Sequence, residues 1–245
     1  ADLDLTNYIH GFEGFDEEWT IEPGELIVLS LNGSSSIILN NNEEILHLKD
    51  PNGDTKHTIR WTNSPSGISL IAPESGGSIW NAAPFSTRGF ANTNHLQDTI
   101  NGTSDLIITE VMAFPNEEGS LLPSGIEWIE VQNRGNESIN LTGDNWNLRS
   151  STFYSVAINE SHIYSDDPTN ETGIIESGDY AILTNTLWLN NYREVLWLIS
   201  PNSEIVQAIH WNTSTQGMSL IPENGSTPDK PWVVNSNPTP GSSGE

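Results

Sequence analysis

Short apolar runs separated by turn residues dominate the chain. Residues 106–111, 126–131 and 194–198 are rich in β-branched and aromatic side chains, which favours β-strands. Apolar and polar positions nearly alternate through 126–131, as in a strand whose successive side chains point to opposite faces. Turn residues punctuate the runs at short intervals, and no stretch has the spacing of an amphipathic helix. The pattern predicts an all-β chain of short strands, arranged as a sandwich.

Several segments of the first half recur in the second half at a constant offset of 150 residues, such as residue 39 and residue 189. The matched segments are Leu39-Asn40-Asn41 with Leu189-Asn190-Asn191, Pro51-Asn52 with Pro201-Asn202, Ile59-Arg60-Trp61 with Ile209-His210-Trp211, and Gly67-Ile68-Ser69-Leu70-Ile71 with Gly217-Met218-Ser219-Leu220-Ile221. Because the matches share one register, the chain is predicted to hold two copies of one module.

The two copies are expected to differ in length. We expect an incomplete module over 1–94, a linker over 95–104, a complete module over 105–241 and a tail or linker over 242–245. Asp4-Leu5-Thr6 resembles Asn140-Leu141-Thr142. On that alignment the first copy lacks the counterparts of residues 105–139, which we interpret as two strands.

The order of motifs in the second copy resembles that of a known family. These motifs are Ile108-Thr109-Glu110-Val111, Glu127-Trp128-Ile129-Glu130-Val131-Gln132-Asn133, Asn140-Leu141-Thr142-Gly143, Ile175-Glu176-Ser177-Gly178-Asp179-Tyr180, Ile209-His210-Trp211 and Thr239-Pro240-Gly241. Together they resemble the lamin-tail domain, an immunoglobulin-like β-sandwich of nuclear lamins and of many secreted bacterial and archaeal proteins. The first copy departs from the family's closing Pro-Gly sequence at Arg88. The resemblance implies two tandem immunoglobulin-like sandwiches without catalytic residues.

The net charge of the chain limits the classes of molecule that it is expected to bind. The chain has 33 acidic residues against eight Lys and Arg, a net charge of −25. Such a surface repels nucleic acid and anionic lipid, which bind through Lys and Arg. No apolar run is long enough to insert directly into a membrane. We expect an extracellular or cell-surface protein of a marine or halophilic prokaryote, and the absence of cysteine excludes thiol chemistry.

Two acidic segments are candidate metal sites. Asp50-x-Asn52-x-Asp54 begins like a calcium loop, but Thr55 replaces the required glycine and Trp61 the bidentate acid. A hairpin turn is therefore the favoured interpretation there. Asp166-Asp167 lies in an acidic loop that would hold Ca²⁺ weakly. We expect no cofactor, with Ca²⁺ as the alternative.

Other residues are candidates for modification, binding or structural roles. Glu127 and Glu130 lie three apart on a strand, so they face opposite ways and are expected to satisfy backbone or loop donors. The histidines do not match between the copies. Trp188 and Trp19 lack aromatic counterparts and are candidate stacking platforms for a sugar. Candidate N-glycosylation sequons begin at Asn32, Asn101, Asn136, Asn140, Asn159, Asn170, Asn212 and Asn224.

The sequence favours a non-catalytic structural, adhesive or binding module of a larger surface or secreted protein. Its expected partner is a protein or glycan at the cell surface, or another copy of the chain. One alternative is a subunit of a self-assembling fibre or surface layer that uses strand donation. Another is an accessory domain of a secreted hydrolase, either a nuclease or a phosphatase.

Overall fold

The computed structural model is built from antiparallel β-strands, which confirms the all-β prediction. It describes residues 9–10, 23, 26, 28–29, 39–64, 68–73, 77–87, 93–116, 125–151, 155–164 and 173–241. In these ranges the helical elements are two 3-10 turns, Leu96–Thr99 and Glu160–His162. The chain divides into two compact units, Ala1–Asn94 and His95–Glu245.

The first unit contains three antiparallel strand pairs within its described residues. They are β1 (Ile9–His10) with β2 (Val28–Leu29), β3 (Glu43–Lys49) with β4 (Thr55–Thr62), and β5 (Leu70–Ile71) with β6 (Asn81–Ala82). Trp61 is buried on β4, and Ile71 is buried on β5. Trp61 and Trp211, which match at the offset of 150, are both buried.

The second unit contains twelve strands among the residues described. They are β7 (Leu106–Met112), β8 (Trp128–Asn133), β9 (Ile139–Asn140), β10 (Asn147–Ser150), β11 (Ser155–Ala157), β12 (Ile163–Tyr164), β13 (Ile174–Ile175), β14 (Tyr180–Thr184), β15 (Tyr192–Ile199), β16 (Ile205–Thr213), β17 (Ser219–Ile221) and β18 (Val233–Asn235). Three of these, β7, β8 and β15, lie where the apolar runs predicted strands.

These strands form two main sheets and a small β9–β13 pair. Sheet A has the order β11-β10-β15-β16, and sheet B has the order β12-β14-β8-β7-β17-β18. One cluster of buried apolar side chains draws on both sheets. Its members include Leu148, Leu196, Leu198 and Ile209 from sheet A, and Ile108, Val111, Ile129, Val131, Leu183 and Leu220 from sheet B. Burial of this cluster is the main source of stability available to the second unit.

The hairpins β3–β4 and β15–β16 have the same register at the offset of 150. Glu44 pairs with Trp61 in the first, and Glu194 pairs with Trp211 in the second. Both ladders shift at the same place, next to Leu48 in one and Leu198 in the other. The pairs β5–β6 and β17–β18 also correspond, since Leu70 faces Ala82 as Leu220 faces Val234. The sequence repeat is therefore a structural repeat.

The pair β1–β2 gives a further equivalence between the copies. Ile9 faces Leu29 as Ile163 faces Leu183, so residue 9 matches residue 163, an offset of 154. The expected match of Asp4-Leu5-Thr6 with Asn140-Leu141-Thr142 involves residues of the first copy that lie outside the described ranges.

Residues 95–102, which fall in the expected linker over 95–104, belong to the second unit and pack against the rest of it. The 3-10 turn contacts β16, and Leu96 is fully buried. The indole N–H of Trp197 donates to the hydroxyl of Thr99 at 3.1 Å. The segment then continues along the start of β16, because Asn101 accepts a hydrogen bond from Ile205 N–H at 2.7 Å. Its polar composition concealed these anchor residues.

Candidate functional site

Two buried glutamates face each other on neighbouring strands of sheet B. Glu110 of β7 pairs directly with Glu130 of β8, and both side chains are buried. Glu110 accepts hydrogen bonds from the Ser219 hydroxyl, from the Asn235 amide at 3.2 Å and from Thr239 N–H at 3.2 Å. Like charges placed side by side in a sheet are unfavourable, so these donors must compensate for the pairing.

Glu130 binds the end of the same closing segment. One oxygen accepts from the Thr109 hydroxyl and the other from Gly241 N–H at 2.7 Å. Burial raises the pKa of Glu130, two hydrogen bonds oppose that rise, and the nearby charge of Glu110 adds to it. The two carboxylates together hold residues 239–241 against sheet B. We call this group the closing clamp.

A third buried carboxylate joins the end of β10 to β15. Glu194 is fully buried, and one of its oxygens accepts from Ser151 N–H at 2.9 Å, from the Ser151 hydroxyl and from Val195 N–H at 3.0 Å. Its other oxygen accepts from the backbone N–H of Asn190 at 3.1 Å and its side-chain amide at 2.8 Å. The Trp211 indole donates to the Asn190 carbonyl at 2.9 Å. Both carboxylate oxygens of Glu194 thus accept hydrogen bonds from donors of the same chain.

The first unit has the same Asn–Glu–Trp arrangement. The Asn40 amide donates to Glu44 at 2.7 Å, and the Trp61 indole donates to the Asn40 carbonyl at 2.8 Å. Glu44 also accepts from Ile45 N–H at 3.2 Å, as Glu194 does from Val195. The hydrogen bond from Asn40 lowers the pKa of Glu44, and that from Ile45 contributes. Glu44 is only half-buried, whereas Glu194 is fully buried.

Glu127 and Glu130 fulfil the structural role expected of them. Glu127 accepts from Leu189 N–H at 3.0 Å, while Glu130 accepts from Gly241 N–H, so the two carboxylates serve different loops. Burial raises the pKa of Glu127, and the charge of Glu194 contributes in the same direction. The sequence did not single out Glu110 and Glu194 as buried acceptors. Both could have been found from the sequence, because each is a glutamate inside an apolar run. Glu194 also matches Glu44 of the first copy.

The Asp50-x-Asn52-x-Asp54 segment forms the turn of the β3–β4 hairpin. Asp50 accepts from the backbone N–H groups of Asn52 at 3.0 Å and Asp54 at 2.9 Å, and Gly53 has a φ of 88°. The Lys56 ammonium lies 3.0 Å from Asp50 and, with the backbone bonds, lowers the pKa of that carboxyl. The segment therefore forms the hairpin turn that the sequence favoured.

The remaining metal and modification candidates are spread over the chain. Asp166 and Asp167 lie outside the described residues, as do the sequons at Asn32 and Asn170. In the part of the chain that the structure describes, no three His, Asp or Glu side chains are grouped as metal ligands. Three sequon asparagines have structural hydrogen bonds: Asn101 to β16, Asn140 to Gly143 N–H, and Asn159 to Ser161 N–H. Asn136, Asn212 and Asn224 are exposed.

Two histidines of the second unit are buried. Burial lowers the pKa of His162, whose ring nitrogen lies 3.2 Å from Asn159 N–H. Burial also lowers the pKa of His210, and the backbone and charge of Asp229 oppose that effect. The β15–β16 register places His210 at the position of Arg60 in the first copy. The structure therefore agrees with the prediction that the copies do not share a histidine site.

Trp188 is exposed on the loop between β14 and β15, with 86% of its surface accessible. The other candidate platform, Trp19, lies outside the described residues. Tyr192, at the start of β15, is 69% exposed. The sequence singled out Trp188 but not Tyr192, because residue exposure at a strand end follows from the tertiary packing.

Comparisons with known proteins do not extend these observations. No helix within the described ranges is both long and apolar enough to span a membrane. No family model matches the chain, and no curated protein and no solved structure shows a match.

Proposed function

We propose that the chain is a non-catalytic structural, adhesive or binding part of an extracellular or cell-surface protein. In this proposal each unit belongs to an immunoglobulin-like β-sandwich of lamin-tail type. The order of motifs supports it, and so does the location of their glutamates. Glu110 and Glu130 hold the closing Thr239-Pro240-Gly241 segment, which gives these family-like motifs a role in the fold.

The observation that supports the proposal most directly is that the buried carboxylates already accept hydrogen bonds from the chain itself. Glu110, Glu130 and Glu194 each accept hydrogen bonds from backbone N–H groups or hydroxyls of the same chain. A general acid or base must instead reach a substrate proton with its own oxygen. These groups therefore act as acceptors that fix the strands and loops.

The proposal is tested by assaying the purified chain on DNA, RNA and p-nitrophenyl phosphate, with Mg²⁺, Ca²⁺ or EDTA. We expect no turnover above buffer. Turnover that is lost in Glu110→Gln or Glu130→Gln, with an unchanged near-UV circular dichroism spectrum, would contradict the proposal. That result would favour a secreted hydrolase.

A second candidate function is self-assembly by strand donation, and the edge of β3 favours it. In the second unit β15 pairs with β10 on the side away from β16. Val195 and Leu198 of β15 are fully buried, but their counterparts Ile45 and Leu48 of β3 are 47% and 52% exposed. An added strand in the position of β10 would cover part of this apolar surface.

Sedimentation velocity distinguishes the two candidates. Self-assembly predicts concentration-dependent oligomers that Leu48→Lys dissociates, with Val234→Lys on the second unit as the exposed control. A folded monomer at all concentrations contradicts self-assembly.

A further inference from the structure

The loop of residues 185–191, between β14 and β15, is fixed from several directions. Two of its backbone N–H groups donate to glutamates, Leu189 to Glu127 at 3.0 Å and Asn190 to Glu194 at 3.1 Å. Two of its carbonyls accept hydrogen bonds, Asn190 from the Trp211 indole at 2.9 Å and Asn191 from Ser214 N–H at 2.8 Å. Leu187 and Leu189 are buried in the core. A loop held in this way presents its exposed side chains with little loss of entropy on binding.

Trp188 lies between those two buried leucines, yet it is 86% exposed. Among the other tryptophans that the structure describes, Trp80 is half-buried and the remainder are buried. Tyr192 follows four residues later and is 69% exposed. The loop therefore presents two large aromatic rings to solvent although the same unit buries its other tryptophans.

The repeat shows that these aromatic residues are not required by the module. At the offset of 150, Trp188 corresponds to Ile38, and Tyr192 corresponds to Asn42. The anchoring residues are retained, since Asn190, Glu194 and Trp211 match Asn40, Glu44 and Trp61 in identity and in hydrogen bonding. The second copy thus keeps the support of the loop and differs in the rings that the loop displays.

The surroundings of the rings indicate the chemistry of a partner. Asn185 and Thr186 precede Trp188, and Thr213 lies directly across from Tyr192 on β16. These three side chains are neutral hydrogen-bonding groups, and the exposed Arg193 next to Tyr192 adds one positive charge. A sugar ring has an apolar C–H face that stacks on an aromatic ring and hydroxyls that bind amides and hydroxyls. The net charge of −25 disfavours an anionic partner.

We propose that Trp188 and Tyr192 form a stacking platform for a neutral glycan. The proposal rests on the proposed binding function and gives it a site and a ligand class. Two separate exposed rings with amide and hydroxyl side chains close to them in the chain suit a chain of sugar rings better than a flat protein surface, because a stable protein interface needs a much larger area.

The test is isothermal titration of the intact chain with cellohexaose, chitohexaose, mannohexaose and maltohexaose. We expect at least one of these to bind. Trp188→Ala should weaken its affinity about tenfold or more and Tyr192→Ala several-fold, whereas Trp188→Tyr, which keeps a ring, should retain most of it. Ile174→Ala, at an exposed apolar residue of the same unit, is the matched control and should leave affinity unchanged.

Three results would overturn the proposal: no binding of any of the four oligosaccharides, affinity unchanged in Trp188→Ala, or equal loss in Ile174→Ala. Choline chloride is titrated in parallel, since an acidic protein with exposed aromatic rings also attracts organic cations. Binding of choline without binding of a sugar overturns the proposal as well. Turnover in the hydrolase assay, with glycan binding intact, would instead contradict only the non-catalytic function.

Discussion

Glu194 accepts a hydrogen bond from the backbone N–H of Ser151 at 2.9 Å and so holds the end of β10 against β15. The same glutamate accepts from the serine hydroxyl. In the first unit Glu44 retains the asparagine and backbone donors but is only half-buried. The equivalent glutamates of the two copies therefore have the same position in the hairpin but are buried to different degrees.

This difference predicts unequal costs for the same substitution in the two copies. Glu194→Gln replaces an acceptor oxygen with a donor amide in a buried site, and we expect a loss of about 1–3 kcal/mol in unfolding free energy. Glu44→Gln, the matched control, should have a much smaller effect because Glu44 is solvated. Urea unfolding measures both, and equal costs would show that burial at Glu194 is unimportant.

Disrupting the closing clamp should reduce the protection of nearby backbone amides from hydrogen exchange. Glu110→Gln removes an acceptor of Thr239 N–H and of the Ser219 hydroxyl. We expect destabilisation of about 1–3 kcal/mol and faster amide hydrogen exchange at Thr239 and Gly241. Glu176→Gln, at an exposed residue, is the control. Unchanged exchange at both amides would show that the segment is held by other contacts.

Because of Glu130, the free energy of unfolding should have an unusual pH dependence. Its folded pKa is raised above the ordinary value of 4.5, mainly by burial, so the folded state binds this proton more tightly than the unfolded chain. The favourable contribution is complete below 4.5 and is lost as pH rises through the folded pKa. Unfolding free energy relative to Glu130→Gln should therefore increase as pH falls from 7 toward 4.5. A difference that is constant or decreases over this range would contradict the assignment.

His162 should titrate in the opposite sense. Burial lowers its pKa from 6.5, and its unprotonated nitrogen faces Asn159 N–H. Its contribution to stability is thus complete above pH 6.5 and is lost as pH falls through the folded pKa. A ring-nitrogen NMR titration should give a midpoint below 6.5. A midpoint at or above that value would indicate a solvated or ion-paired ring.

The sequence predicted the parts of the fold that depend on local pattern and on repetition. The apolar runs placed β7, β8 and β15, and the constant offset predicted the equivalence of Trp61 with Trp211. The match of Asp4 with Asn140 stays a prediction, because Asp4 lies outside the described residues. The equivalence of the Ile9–Leu29 and Ile163–Leu183 pairs depends on strand pairing and not on local pattern.

The site was harder to predict because burial of polar groups depends on distant partners. Glu110 is bonded to residues more than a hundred positions away along the chain. Likewise, Leu96 lies in a polar segment that looked like a linker, and its burial depends on β16. Local composition contains no information about such contacts.

In the part of the chain that the structure describes, β3 pairs with β4 alone, whereas its counterpart β15 pairs with both β10 and β16. Residue-resolved hydrogen exchange of the whole chain tests this most directly. Exchange over Ile45–Leu48 of β3 is compared with that of its own partner β4, and exchange over Val195–Leu198 of β15 with that of β16. We expect β3 to exchange faster than β4, and β15 to be protected as well as β16. Equal protection of β3 and β4 would contradict it.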